Sequence, residues 1–126
     1  MESGERKMKK LLIVLLSAFL LVGCESSSNK VGVYQTITQT EAESKIQKEN
    51  AVLIDVRTES EYEDSHIDGS VNIPLNEIET ISYDKNTVII VYCRSGGRSK
   101  TAAETLIENG YTNVYDFGGI SNWIVK

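Results

Sequence analysis

The chain has 126 residues, a formal net charge of −5, 40% hydrophobic residues and 2 cysteines. That length fits one domain plus an appendage. The globular part is acidic and carries no basic patch, which excludes a nucleic-acid binder.

The basic residues gather at the start, as Arg6, Lys7, Lys9 and Lys10, and are followed by the apolar run 11–22. Twelve helical residues span roughly 18 Å, too short for a hydrocarbon core of about 30 Å. A buried core helix would show a polar face, and this run has none. A basic start, a short apolar run and small residues at its end predict an export signal over residues 1–23; Met8-Lys9-Lys10 alone would make a normal start for it. Leu21-Val22-Gly23-Cys24 resembles the lipobox of bacterial lipoproteins. That resemblance implies cleavage before Cys24 and a lipid on Cys24, which would place the domain on the extracytoplasmic side of the cell membrane. Cleavage removes four basic and two acidic residues and leaves a charge of −7. An acidic domain binds anionic lipid poorly, so the lipid itself must hold it at the membrane. Residues 24–31 then form the lipidated cysteine and a Ser-rich flexible tether, and residues 32–126 the domain.

In the domain, strand and helix signals alternate, with no internal repeat. Val33 to Thr36 reads as a first strand, and Thr40-Glu41-Ala42-Glu43 as a capping box opening a helix to Glu49. The near-continuous apolar run 51–56 predicts a strand covered on both faces. A short charged helix over Thr58 to Asp64, a short strand over Ser70 to Ile73 and a short helix over Leu75 to Ile81 follow. Thr87 to Tyr92 is the second fully apolar strand, and Ser99 to Glu108 a helix with Ala102, Ala103, Leu106 and Ile107 facing inward. Gly110 ends that helix, Val114 to Phe117 is the last strand, and Gly118-Gly119 turns into a terminal helix bearing Trp123. This alternation predicts an α/β fold with a mostly parallel sheet of about five strands and helices on both faces. Sites on such sheets lie beyond the carboxyl ends of the strands.

If Cys24 carries lipid, Cys93 has no disulfide partner in the chain and is either buried filler or a reactive group. Its neighbours decide. Cys93-Arg94-Ser95-Gly96-Gly97-Arg98-Ser99 stands at the end of an apolar strand and leads into a helix. Glycines let backbone N–H groups turn inward around one point, and the helix start adds its unpaired N–H groups and positive dipole end. Arg94 and Arg98 add two charges. These surroundings favour a thiolate on an exposed sulfur, with a pKa below that of free cysteine.

Four segments resemble the rhodanese family in order along the chain. They are Asp55-Val56-Arg57, the stretch from His66-Ile67-Asp68-Gly69 to Asn72-Ile73-Pro74, the Cys93–Ser99 loop, and Gly118-Gly119-Ile120-Ser121-Asn122-Trp123. The resemblance implies a rhodanese-like fold and a sulfurtransferase without a cofactor or metal. Cys93 would take a sulfane sulfur from a small anionic donor, thiosulfate or a persulfide, and pass it to a thiol or cyanide. Arg94, Ser95, Gly96, Gly97 and Arg98 would receive the donor, while Asp55 and Arg57 hold the neighbouring loops. His66, the only histidine, falls in a structural turn, and Trp123 reads as core packing. The chain is expected to act as a monomer.

Phosphatases and arsenate reductases of related fold separate cysteine and arginine by five residues, whereas four lie between Cys93 and Arg98. The tighter loop suits a sulfur atom better than a phosphate. A second alternative is a module that carries a persulfide or senses redox state for an exported partner without rapid turnover.

Overall fold

The computed structural model describes residues 32–126. The expected signal segment, Cys24 and the tether lie outside the described residues. Five parallel strands form one sheet in the order β1-β5-β4-β2-β3. They are β1 (Gln35–Thr36), β2 (Val52–Asp55), β3 (Val71–Asn72), β4 (Val88–Cys93) and β5 (Asn113–Gly119). The helices are α1 (Gln39–Glu49), α2 (Glu59–Asp64) and α3 (Gly97–Glu108), joined by 3-10 turns at Leu75–Thr80 and Ile120–Asn122. Among the described residues, no helix is long and apolar enough to cross a membrane.

Strand alternation divides the core into two layers. Ile89, Val91 and Cys93 of β4 point to one face, where Ala102, Ala103 and Leu106 of α3 cover them together with Ile54, Ile78 and Val114. Ile90 and Tyr92 point to the other, packed with Leu53, Ile67, Phe117 and Ala42 of α1. Because both faces of β2 and β4 are covered, their sequences are apolar apart from Asp55 at the end of β2.

Three elements differ from the sequence expectation, and the others only by shifts of one or two residues at their ends. The capping box of α1 is built on Thr38 and Glu41, two residues earlier than Thr40. The Ile37 N–H bonds the Asp116 carbonyl at 3.0 Å, so the chain leaves the sheet at Thr38 and the helix starts there. The expected terminal helix is a single 3-10 turn, with Trp123 in extended conformation after it. The Gln39 amide holds the backbone of Ile124 through two 2.7 Å hydrogen bonds, which favours an extended end, and Trp123 packs edge-on to Phe117 at 5.2 Å. The short helix expected at 75–81 is likewise a 3-10 segment.

Candidate active site at the end of strand β4

Strand β4 delivers Cys93 to the carboxyl edge of the sheet, and β5 shapes the space beside it. A bulge at Phe117 shifts the register from Val91↔Asp116 to Tyr92↔Gly118 and Cys93↔Gly119. Gly118 takes the left-handed φ of +92° that the bulge needs, with its N–H held by Asp116 Oδ1 at 2.8 Å. The shift sets a residue without a side chain beside the loop: a Cβ on Gly119 would fall 2.7 Å from the Arg94 carbonyl oxygen.

The loop folds back over the sulfur. Gly96, at φ +103°, caps α3 and points its N–H at Cys93 Sγ over 2.9 Å. Ser99 is fully buried, with its Oγ 3.6 Å from Sγ and 3.1 Å from the Gly96 carbonyl. A thiol would donate to this hydroxyl, whereas a thiolate would accept from it. Cys93 is only 1% exposed, so the expectation of an exposed sulfur is corrected. The reason is the loop's tightness, which roofs the sulfur with its own backbone. Burial is the largest influence on the thiol and pushes its pKa up. The Ser99 hydroxyl and the backbone N–H groups of Ser99, Gly96 and Ser95 together outweigh it, and the net shift is downward.

The two loop arginines have different settings. Arg94 is exposed, and among the described residues it makes no ion pair. Arg98 gives both guanidinium arms to Glu61, Nη1 to Oε1 at 2.7 Å and Nη2 to Oε2 at 2.9 Å. Arg98 thus braces the loop against α2. Ser95 and Gly97 are exposed on the loop and Gly96 half-buried.

Asp55 and Arg57 form a buried ion pair beside the loop. The Arg57 Nε and Nη2 donate to the Asp55 carboxylate at 2.8–3.0 Å, and Nη2 also reaches the Ser65 carbonyl. Both residues are buried. Asn72 donates to the carbonyls of Asp55 and Arg57 at 3.1 Å each. The adjacent Tyr92 hydroxyl accepts the Ile67 N–H at 3.1 Å and lies 3.0 Å from Ser70 Oγ. Burial, the largest influence, pushes the Tyr92 hydroxyl up to about 12, so it stays protonated. His66 lies exposed, stacked on Tyr62, and serves the turn.

The sequence alone places neither Ser99, Glu61 nor Gly119 individually in the surroundings of the sulfur. Glu61 carried a usable signal, since Thr58-x-x-Glu61 is a capping-box pattern that fixes its carboxylate at the start of α2.

The rhodanese-like domain profile matches residues 38–126. The uncharacterized protein YqhL of Bacillus subtilis is 33% identical over 116 residues, covering 90% of each chain. Thiosulfate sulfurtransferase PspE of Escherichia coli is 42% identical over 73 residues, covering 55% of this chain and 70% of that one. Among solved structures, a rhodanese with anions from E. coli superposes with a TM-score of 0.56 at 39% identity, covering 60% of this chain and 94% of that one. Sulfur transfer is the general chemistry these relatives support, and the chain belongs to the rhodanese-like family.

Proposed function

We propose that the protein is a sulfurtransferase that moves a sulfane sulfur through a persulfide on Cys93. The observation that carries this reading is the 2.9 Å approach of the Gly96 N–H to Sγ, in a loop whose net effect on the thiol is to favour the thiolate. In the first half-reaction the Cys93 thiolate attacks the outer sulfur of thiosulfate. A Cys93 S–S bond forms, the donor's S–S bond breaks and sulfite leaves with its electron pair. In the second, an acceptor thiolate or cyanide attacks the outer persulfide sulfur, and Cys93 leaves as the thiolate. The two steps predict ping-pong kinetics. The loop N–H groups steady the anionic sulfur, and exposed Arg94 attracts the donor's charge. Sγ lies under the loop, so the reading favours donors that present a terminal sulfur. Incubation with thiosulfate should raise the intact mass of the wild-type domain by one sulfur atom and release sulfite. Cys93→Ser should do neither, and sulfur loading by that variant would refute the mechanism.

The lipobox resemblance supports a second part of the reading, that Cys24 is lipidated and the domain works at the extracytoplasmic face of the cell membrane. Cys24→Ala should block both cleavage and lipid attachment, so that the protein keeps the apolar run 11–22 and its intact mass shows no lipid. A mass unchanged but for the substitution itself would sink it.

A further inference from the structure

We propose that Glu61 is a specificity-determining residue of the Cys93 loop. Its carboxylate takes both arms of the Arg98 guanidinium and withholds that fork from oxyanions at the loop mouth. The donor's anionic end is then met by Arg94 and the backbone alone. This rests on the reading of Cys93 as a nucleophile in an anion-favouring loop.

The geometry is that of a held group. A planar guanidinium recognises carboxylates, sulfates and phosphates by two parallel hydrogen bonds, and one carboxylate satisfies that fork. Here the pair is bidentate, with its side chains 35% and 27% exposed. Glu61 is itself fixed, because its Oε1 also accepts the Thr58 N–H at 3.3 Å and the Thr58 hydroxyl at 3.1 Å. One carboxylate therefore closes the capping box of α2 and fastens the first turn of α3. The Arg98 hydrogen bonds are the main reason that Glu61 is pulled down to about 2, so the pair persists across the working pH range. Arg98 stands in the first turn of the helix that begins at the loop, and its charge interacts with Cys93, although less strongly than with Glu61. Released, it would be the residue best placed to clamp a tetrahedral oxyanion over the loop. Held, it leaves sulfate and phosphate with only the point attraction of exposed Arg94. A sulfane donor loses less by this, since its terminal sulfur is met by Sγ and the loop N–H groups.

The test is protection of Cys93 from iodoacetamide by sulfate or phosphate at constant ionic strength, which requires no sulfur donor and no turnover. Glu61→Gln keeps an acceptor for the capping box and removes the charge. Its half-protecting anion concentration should fall about tenfold relative to wild type, the scale of one charge-assisted hydrogen bond to the anion. In the Arg98→Ala background the same Glu61→Gln change should leave that concentration where it was. A fall of less than about threefold, small against such a bond, would overturn the proposal. An equal fall without Arg98 would overturn it too, because the carboxylate would then act by plain repulsion. Thermal melts check that each variant is folded. Should Glu61→Gln fail that check, Glu61→Asp, which keeps the cap but shortens the reach to Arg98, is judged by the same threshold. Failure of Cys93 to load sulfur from thiosulfate, with the protection result intact, would count against the sulfurtransferase reading and not against this assignment.

Discussion

Gly119→Ala should damage the Cys93 loop while leaving the sheet formed. The backbone of Gly119, at φ −92° and ψ 139°, is open to any residue, so glycine is required there by space alone. An added Cβ would lie 2.7 Å from the Arg94 carbonyl oxygen and 3.3 Å from Ser95 Cα, both in the loop backbone. Ordinary van der Waals separation begins near 3.4 Å, so loop and strand must part by about 0.7 Å. Overpacking of this kind costs ~1–3 kcal/mol. A shift near 1 Å in a reacting arrangement costs ~100-fold in rate, so sulfur loading should slow by roughly ten- to a hundredfold. Gly118→Ala is the control. At φ +92° it suffers backbone strain of ~1–2 kcal/mol, but its Cβ would meet nothing within 4 Å. The two variants should therefore lose similar stability and differ in loading rate, measured by sulfite release under single-turnover conditions. A Gly119→Ala protein that loads within about twofold of wild type, far short of the loss expected from a displaced loop, would refute the close-approach argument. So would equal slowing by Gly118→Ala.

Asp55→Asn leaves the buried Arg57 guanidinium without its charged partner and should cost ~3–5 kcal/mol in urea unfolding; a loss below about 1 kcal/mol would show that Ser65 and solvent suffice for Arg57. Alkylation of Cys93 by iodoacetamide should keep its rate below the pH where a free thiol slows, because the folded thiol lies below its ordinary value. The linked stability is fully present above the unfolded thiol's pKa and lost as pH falls through the folded one. Ser99→Ala should move the alkylation midpoint upward, and an unmoved midpoint would remove Ser99 from the sulfur's environment.

The parts legible in the sequence were those whose cause is local. The apolar runs at 51–56 and 87–92 mark β2 and β4 because strands buried on both faces need no alternation. The Cys93 loop was legible because glycines and a helix start within seven positions gather backbone N–H groups around one atom. The α1 cap was ambiguous in principle: Thr38 and Thr40 both have glutamate three residues on, and only the Ile37 bond to Asp116 selects the first. What escaped reading depends on long separations. Arg98 and Glu61 are 37 residues apart, and the role of Gly119 follows from a bulge whose register is invisible in β5 alone.

These distant pairings bear on reactivity as much as on folding. Gly119 admits the loop close enough to β5 to roof Sγ, and the roof brings the Gly96 N–H onto the sulfur. The same roof buries the thiol, which opposes ionisation. A looser loop would therefore give up its N–H hydrogen bonds as it let solvent in, and exposure alone cannot stand in for the cradle. A reactive thiol at this site requires the loop to be both tight and rich in inward N–H groups. Only the second of those conditions is written in the glycines of the loop; the first is set across the sheet by Gly119 and at the helix start by Glu61.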